Sequence, residues 1–275
     1  MKADLFYKTA LGRAVFKALQ KLGFFRLAAW LLHTRISKHM IPQYIRKHGI
    51  DMKPYTGQTY ESFAAFFSRK RDSTYYVIDP KVLISPCDGL LSVYAVTGDL
   101  TIPMKESIYT LNDLVPDPKV TALFQNGLCL VFRLEASDYH YFCCFDDGLL
   151  IESRFVPGQL HSVQPIAQRT APVYRLNRRW WSVLETKNFG TVVQIEVGAM
   201  MVGEVSFSIA DAWFNRGDEM GHFELAGSTI ILLLNSSVRQ RLLFREAITP
   251  SVISGKEMHI QMGAEIAVLL GEISA

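Results

Sequence analysis

The sequence predicts a mostly β, α+β protein: a single antiparallel β-rich domain preceded by basic amphipathic helices at the N-terminus. Beyond Pro54, short segments rich in Val, Ile, Phe and Tyr recur between Gly, Pro, Asp and Asn, at the lengths of strands. The first 50 residues instead space their apolar side chains at helical intervals. Charge divides the chain at the same place. Ten Lys or Arg against one acid, Asp4, make residues 1–50 +9, which leaves −6 for the remainder of a chain whose net charge is +3. The expected organisation is therefore a basic membrane-association arm, 1–50, on an acidic β-rich catalytic body, 51–275.

In the arm, Leu11, Val15, Phe16, Leu19 and Leu22 fall on one face of a helical wheel, with Arg13, Lys17 and Lys21 opposite and Lys8 breaking the pattern. A second cluster, Phe24, Phe25, Leu27 and Ala28 to Leu32, carries Arg26 inside it and Arg35 and Lys38 beside it. This predicts two or three helices between residues 4 and 47. An ordinary surface helix mixes both signs of charge. Lys and Arg facing away from Phe, Trp and Leu suit an anionic lipid surface better than nucleic acid, so an anionic membrane is the expected partner and nucleic acid is not.

In the body, strands are expected at Val82 to Ile84, Leu90 to Val96, Leu128 to Leu134, Tyr139 to Cys144, Leu149 to Phe155, Val192 to Val197, Val205 to Ile209, Ile230 to Leu234 and Ile266 to Leu270. Residues 58 to 70 and 237 to 247 read as helical. At 275 residues and 49% apolar, the chain can bury a substantial core, which excludes a disordered, collagenous or coiled-coil architecture. Four cysteines are too few for a disulfide framework and favour a reducing compartment. No run approaches the roughly 18 apolar residues of a membrane span, and the start lacks a signal peptide's apolar stretch, so the protein is expected to stay where it is made.

Five segments carry residues suited to chemistry. Ser85-Pro86-Cys87-Asp88-Gly89 sets a carboxylate at a turn, where Asp-Gly also serves as plain turn chemistry. Asp138-Tyr139-His140-Tyr141-Phe142-Cys143-Cys144 embeds an imidazole in an apolar run. On a strand, Cys143 and Cys144 point to opposite faces, and no CxxC pair exists, so no tetrahedral metal site is expected. Pro157-Gly158-Gln159-Leu160-His161-Ser162-Val163 frames a second histidine. Val197-Gly198-Ala199-Met200-Met201-Val202-Gly203 follows a strand. Gly217-Asp218-Glu219-Met220-Gly221-His222-Phe223 leads to Gly227-Ser228-Thr229 before the run Ile230 to Leu234.

Taken together and in order, these segments resemble the phosphatidylserine decarboxylase family over roughly residues 55 to 270. The resemblance implies a self-processing proenzyme, or zymogen, of phospholipid biosynthesis that converts phosphatidylserine to phosphatidylethanolamine through a pyruvoyl group made from its own serine. Residue by residue, it implies that Ser228 becomes the pyruvoyl group, that the chain breaks between Gly227 and Ser228, and that Asp88 and a histidine activate the serine. The product is a heterodimer of a large and a small chain, with any higher homo-oligomer left open. The implied location is peripheral, on the cytoplasmic face of the cell membrane, with a phospholipid as substrate.

Three positions depart from the family pattern. Ala226 replaces a common Leu, Tyr141 stands at the usual Arg, and Cys143 stands at the usual second His. The base is therefore assigned to His140, with His161 close behind it. Serine needs a base to take its proton, and the histidine needs a group that fixes its tautomer, which is the logic of an Asp-His-Ser relay. Ser228 Oγ attacks the Gly227 carbonyl to give an ester, and β-elimination frees the upstream chain. A pyruvoyl carbonyl then provides the electron sink that side chains lack. Two other readings compete: a non-catalytic membrane-associated β protein of the same fold that has lost self-processing, and an Asp-His-Ser hydrolase, for which no Gly-x-Ser-x-Gly elbow is present.

Overall fold

Alternating apolar side chains on extended backbone need a partner on each covered face, and here eight strands satisfy one another in one antiparallel sheet. The computed structural model describes residues 4–72, 76, 78–104, 107–199, 204–209, 212–225 and 228–271. Across the main sheet the order is Trp213–Phe214, Gly148–Val156, Arg179–Thr186, Gly190–Val197, Ser228–Leu234, Leu128–Leu134, Gly89–Ala95 and Met258–Ile260. The Ser228 strand lies near the middle, with Ser228 opposite Leu134 on one side and Thr229 opposite Val197 on the other. All seven of its residues are buried, because both faces of the sheet are covered.

Side-chain alternation divides the interior into two cores. Ile230, Leu232 and Leu234 pack with Leu130, Phe132, Tyr139, Phe142, Cys143 and Phe223. Ile231 and Leu233 pack on the opposite face with Tyr7, Phe16, Val163 and Tyr174. A small sheet of Val205–Phe207, Glu219–Phe223 and Tyr141–Cys143 contributes Phe142, Met220 and Phe223 to the first core. A third sheet joins Val82–Ile84, Glu265–Leu269 and Leu242–Phe244, and Thr101–Met104 pairs with Ser107–Thr110 as a hairpin.

The predicted strands recur within a residue or two, except that the Tyr139 to Cys144 segment pairs only over Tyr141–Cys143 and the Val205 strand ends at Phe207. The strand Arg179–Thr186 was not expected, since Arg179, Ser182 and Glu185 interrupt its apolar pattern. Helix is shorter than predicted at both body sites: Phe63–Phe67 in the first, and Ser236–Arg241 followed by strand in the second.

The arm forms the helices Asp4–Tyr7, Ala10–Lys21, Phe24–His33 and Ile41–His48, with a 3-10 turn at Arg35–Met40. Thr9 caps the second helix by accepting the Gly12 N–H at 2.9 Å. The arm is docked, not free. Phe6, Tyr7, Phe16 and Phe25 join the second core, and Ala29 and Ile41 pack with Phe63, Phe66, Phe67 and Leu225. This corrects two expectations: Phe25 is buried in protein and not offered to lipid, and the helical face divides, Phe16 and in part Leu19 packing on the second core while Leu11, Val15 and Leu22 do not. Leu11, Val15, Leu22, Phe24, Leu27, Trp30 and Leu31 remain exposed, Leu22 at 81% and Trp30 at 62%. Among the described residues no helix is long and apolar enough to cross a membrane.

Candidate active site

The tight turn between Val82–Ile84 and Gly89–Ala95 presents Asp88. Gly89 has φ +148°, and a Cβ there would meet the Arg133 carbonyl oxygen at 3.0 Å, so glycine lets the turn close against the neighbouring strand. The Asp88 carboxylate is buried and accepts four hydrogen bonds. Both terminal nitrogens of Arg71 donate to it, one at 3.1 Å, and the backbone N–H groups of Tyr139 and Met262 donate at 3.3 and 2.9 Å. The Arg71 guanidinium lies 4.4 Å over the Tyr139 ring. Asp88 thus fixes the backbone one residue before His140.

His140 is buried with its ring 4.1 Å from that of Phe67. Its Nδ1 lies 3.0 Å from the Asp138 carbonyl oxygen, and its own carbonyl accepts the Phe223 N–H at 3.0 Å. A carbonyl can only accept, so Nδ1 carries the proton and Nε2 keeps a lone pair, which has no partner among the described residues. Burial, with the charge of Arg69 added, holds the His140 pKa down to about 3. The ring is a neutral base across the physiological range.

Ser228 begins the central strand, and its hydroxyl is buried without a hydrogen-bond partner among the described residues. By alternation it shares a face with Ile230, whose core includes Tyr139 and Phe142, the residues flanking His140 and Tyr141. The segment leading to Ser228 follows the same wall: Leu225 packs with Phe67, and the Glu224 carbonyl accepts from Ser68 Oγ at 3.4 Å. Met200 to Gly203, Ala226 and Gly227, with the scissile bond expected at Gly227, lie outside the described residues.

His161 is elsewhere. It touches Tyr7 and Phe16 of the second core, at ring separations of 6.2 and 5.4 Å. The Tyr7 hydroxyl accepts the Ser162 N–H at 3.0 Å and donates to His161 Nδ1 at 3.2 Å, so Nε2 carries the proton, donated to Gln159 Oε1 at 2.7 Å. Both ring nitrogens are therefore occupied. Cys143 is buried and its thiol is pushed up to about 12 by burial, so it stays protonated and offers no base. Among the described residues no cluster of His, Cys, Asp or Glu could hold a metal.

Sequence reasoning missed two polar residues here. Arg71 gave no signal, because its pairing with Asp88 is purely tertiary. Glu196 did give one: in Val192-Val193-Gln194-Ile195-Glu196-Val197, polar residues occupy alternate positions of a strand buried on both faces. Beside this strand, a cleft of about 340 Å³ is lined by Phe155, Arg178, Trp180, Glu204, Val205 and Glu224.

A family model for phosphatidylserine decarboxylase matches residues 63–268, which include Arg71, Asp88, His140, Glu196 and Ser228. The chain belongs to the phosphatidylserine decarboxylase family. It is 39% identical over 263 residues to phosphatidylserine decarboxylase proenzyme 2 of Clostridium acetobutylicum, covering 94% of this chain and 89% of that one. It is 34% identical to the phosphatidylserine decarboxylase proenzyme of Clostridium kluyveri, over 91% and 86% of the two chains. For the proenzyme of Desulfitobacterium hafniense strain DCB-2 the identity is 32%, over 88% and 80%. The coverage extends into the arm, so this member of the phosphatidylserine decarboxylase family shares more than its β-rich body with these relatives.

Proposed function

We propose that this chain is a self-processing phosphatidylserine decarboxylase: it cleaves its Gly227-Ser228 bond, converts Ser228 to a pyruvoyl group, and decarboxylates phosphatidylserine to phosphatidylethanolamine. One observation carries the reading. A buried serine hydroxyl without a partner opens the central strand, on the face whose core adjoins a buried histidine with a free Nε2. An unpaired buried polar atom costs about 1–3 kcal/mol, so such atoms persist where chemistry uses them.

The residues present fit a pyruvoyl group derived from Ser228, since the site holds orphaned polar atoms and a base held neutral. In processing, His140 Nε2 takes the Ser228 Oγ proton as the oxygen attacks the Gly227 carbonyl, and gives it to the Ser228 nitrogen as the C–N bond breaks, which leaves the ring neutral again. The Asp138 carbonyl keeps the ring in the tautomer that makes this transfer open to Nε2. Asp88 acts one step back, as a positioning residue, through the Tyr139 N–H. Once formed, the pyruvoyl carbonyl supplies the electron sink for loss of carbon dioxide. His140 is then the side chain available to hold and return a proton, while the aromatic wall of Phe67 and Tyr139 limits water. The cleft supplies the approach: Arg178 offers a cation for the phosphodiester, with Glu224 and Glu204 for the serine amine. The exposed apolar and basic side chains of the arm hold this body peripherally on an anionic membrane.

Intact-mass measurement of freshly purified protein tests the reading. Two chains of 227 and 48 residues are expected, the smaller with a blocked, carbonyl-bearing start at position 228. Ser228→Ala should give one chain without decarboxylase activity. A fully active Ser228→Ala protein would end the pyruvoyl mechanism, one intact chain acylated at Ser228 would mean a hydrolase, and one inert chain a binding protein.

A further inference from the structure

Beside Ser228 the sheet buries a carboxyl group that the processing scheme above leaves unused. Glu196 lies opposite Ile230 on the adjoining strand, so it is the diagonal neighbour of Ser228 and shares its face. Such neighbours have backbones about 7–8 Å apart, within reach of a long side chain. Glu196 is fully buried. Its Oε1 accepts from Gln194 Nε2 at 2.8 Å, and its Oε2 has no partner among the described residues, as Ser228 Oγ has none. Burial pushes its pKa up to about 7, so it holds a proton that an exposed carboxylate would have lost.

We propose that Glu196 is the general acid of the elimination step at Ser228. This rests on the self-processing reading and assigns the second half of that reaction. Once Ser228 Oγ has displaced the amide nitrogen, the chain is joined through an ester. In the elimination, His140 Nε2 takes the proton from Cα of residue 228, and the C–H electron pair becomes the Cα=Cβ bond. The Cβ–Oγ bond breaks with its pair going to Oγ, which takes the proton of Glu196, and Gly227 departs as a neutral carboxylic acid. The proton on His140 then returns to Glu196, so neither side chain is consumed. The need for an acid is physical: a carboxylate departing into an apolar core has no water to receive its charge. Glu196 lies on the face of the sheet into which Oγ projects, whereas the Ser228 backbone stays within the plane of the strands. That geometry selects the elimination over the preceding displacement.

The test is to follow Glu196→Gln and Glu196→Met by intact mass, with and without neutral hydroxylamine, which cleaves esters but not amides. Glutamine keeps the shape without an acidic proton, and methionine suits the apolar surroundings if glutamine fails to fold. Each variant should accumulate as a full-length chain that hydroxylamine splits between Gly227 and Ser228, with elimination slowed about 10²–10⁴-fold. Glu196→Asp should regain part of the rate. Processing of either variant at the wild-type rate overturns the proposal, as does a folded full-length chain that hydroxylamine leaves intact. A wild-type chain that never divides would instead remove the self-processing reading, and this proposal with it.

Discussion

The Nδ1–H of His140 donates to the carbonyl of Asp138, its neighbour two residues back, at 3.0 Å. The Asp138 carboxylate is itself held by the Glu135 N–H at 2.7 Å and faces His259 Nε2 at 3.2 Å. A short, tethered loop therefore orients the imidazole, a task that the buried aspartate of a serine-protease triad performs with its side chain. Asp88 does not touch the ring, and its four acceptor contacts go to Arg71 and to two backbone amides.

The two histidines should separate cleanly. His140→Ala is expected to leave an uncleaved precursor, with processing slowed at least about 100-fold. His161→Ala should still divide into two chains, because both of its ring nitrogens are committed to Tyr7 and Gln159. Electrophoresis of the purified variants over time decides it, and a His161→Ala protein that fails to divide would exchange their roles.

Asp88→Asn leaves the partly buried Arg71 guanidinium without its counter-charge. We expect a loss of about 3–5 kcal/mol in denaturant unfolding and an uncleaved precursor. Adding Arg71→Met removes the orphaned charge and should restore most of the stability while processing stays slow, because the Tyr139 contact is weakened. Recovery of processing in the double variant would make Asp88 a purely structural residue.

Stability should fall at both ends of the pH range, for opposite reasons. His140 has a folded pKa of about 3 against the ordinary 6.5, so its contribution is complete above pH 6.5 and is lost as pH falls toward 3. At about 1.4 kcal/mol per unit, the full loss is about 5 kcal/mol. Glu196 has a folded pKa of about 7 against 4.5, so its contribution is complete below pH 4.5 and is lost as pH rises through 7, by about 3 kcal/mol. Between pH 4.5 and 6.5 the two effects oppose each other, so melting curves of His140→Asn should be flatter only below about pH 4.5 and those of Glu196→Gln flatter only between about pH 6.5 and 7. Slopes unchanged from wild type would show that neither group is buried in the state described.

The arm should bind anionic membranes through the residues it leaves exposed. Each Lys or Arg near such a surface contributes about 1 kcal/mol, and Leu22, Trp30 and Ile36 add apolar insertion. Sedimentation with phosphatidylglycerol or phosphatidylserine liposomes should weaken in high salt and leave a remainder that Trp30→Ser and Leu22→Ser abolish. Point variants are the right tool, because deleting the arm would also strip Tyr7, Phe16 and Phe25 from the second core. Unchanged binding by a Lys17→Glu, Lys21→Glu, Trp30→Ser protein would make the arm a packing element only.

The sequence by itself determined what depends on local pattern. Alternation and turn residues placed the strands Val82–Ile84 and Leu128–Leu134, and helical spacing with one-signed charge placed the arm. The ordered motifs around Asp88, His140, Ser228 and the glycines between them were enough to point to the family. Tertiary structure decided what depends on which faces meet. The helical wheel could not say that Phe16 and Phe25 turn inward while Leu22 and Trp30 stay in solvent, because all four are equally apolar and only the docked body distinguishes them. It could not separate His140 from His161 either, since the two differ in what closes around their ring nitrogens and not in their neighbours along the chain. Arg71 against Asp88, and Glu196 diagonal to Ser228, arise from strand register and chain crossing, which are set by long-range pairing.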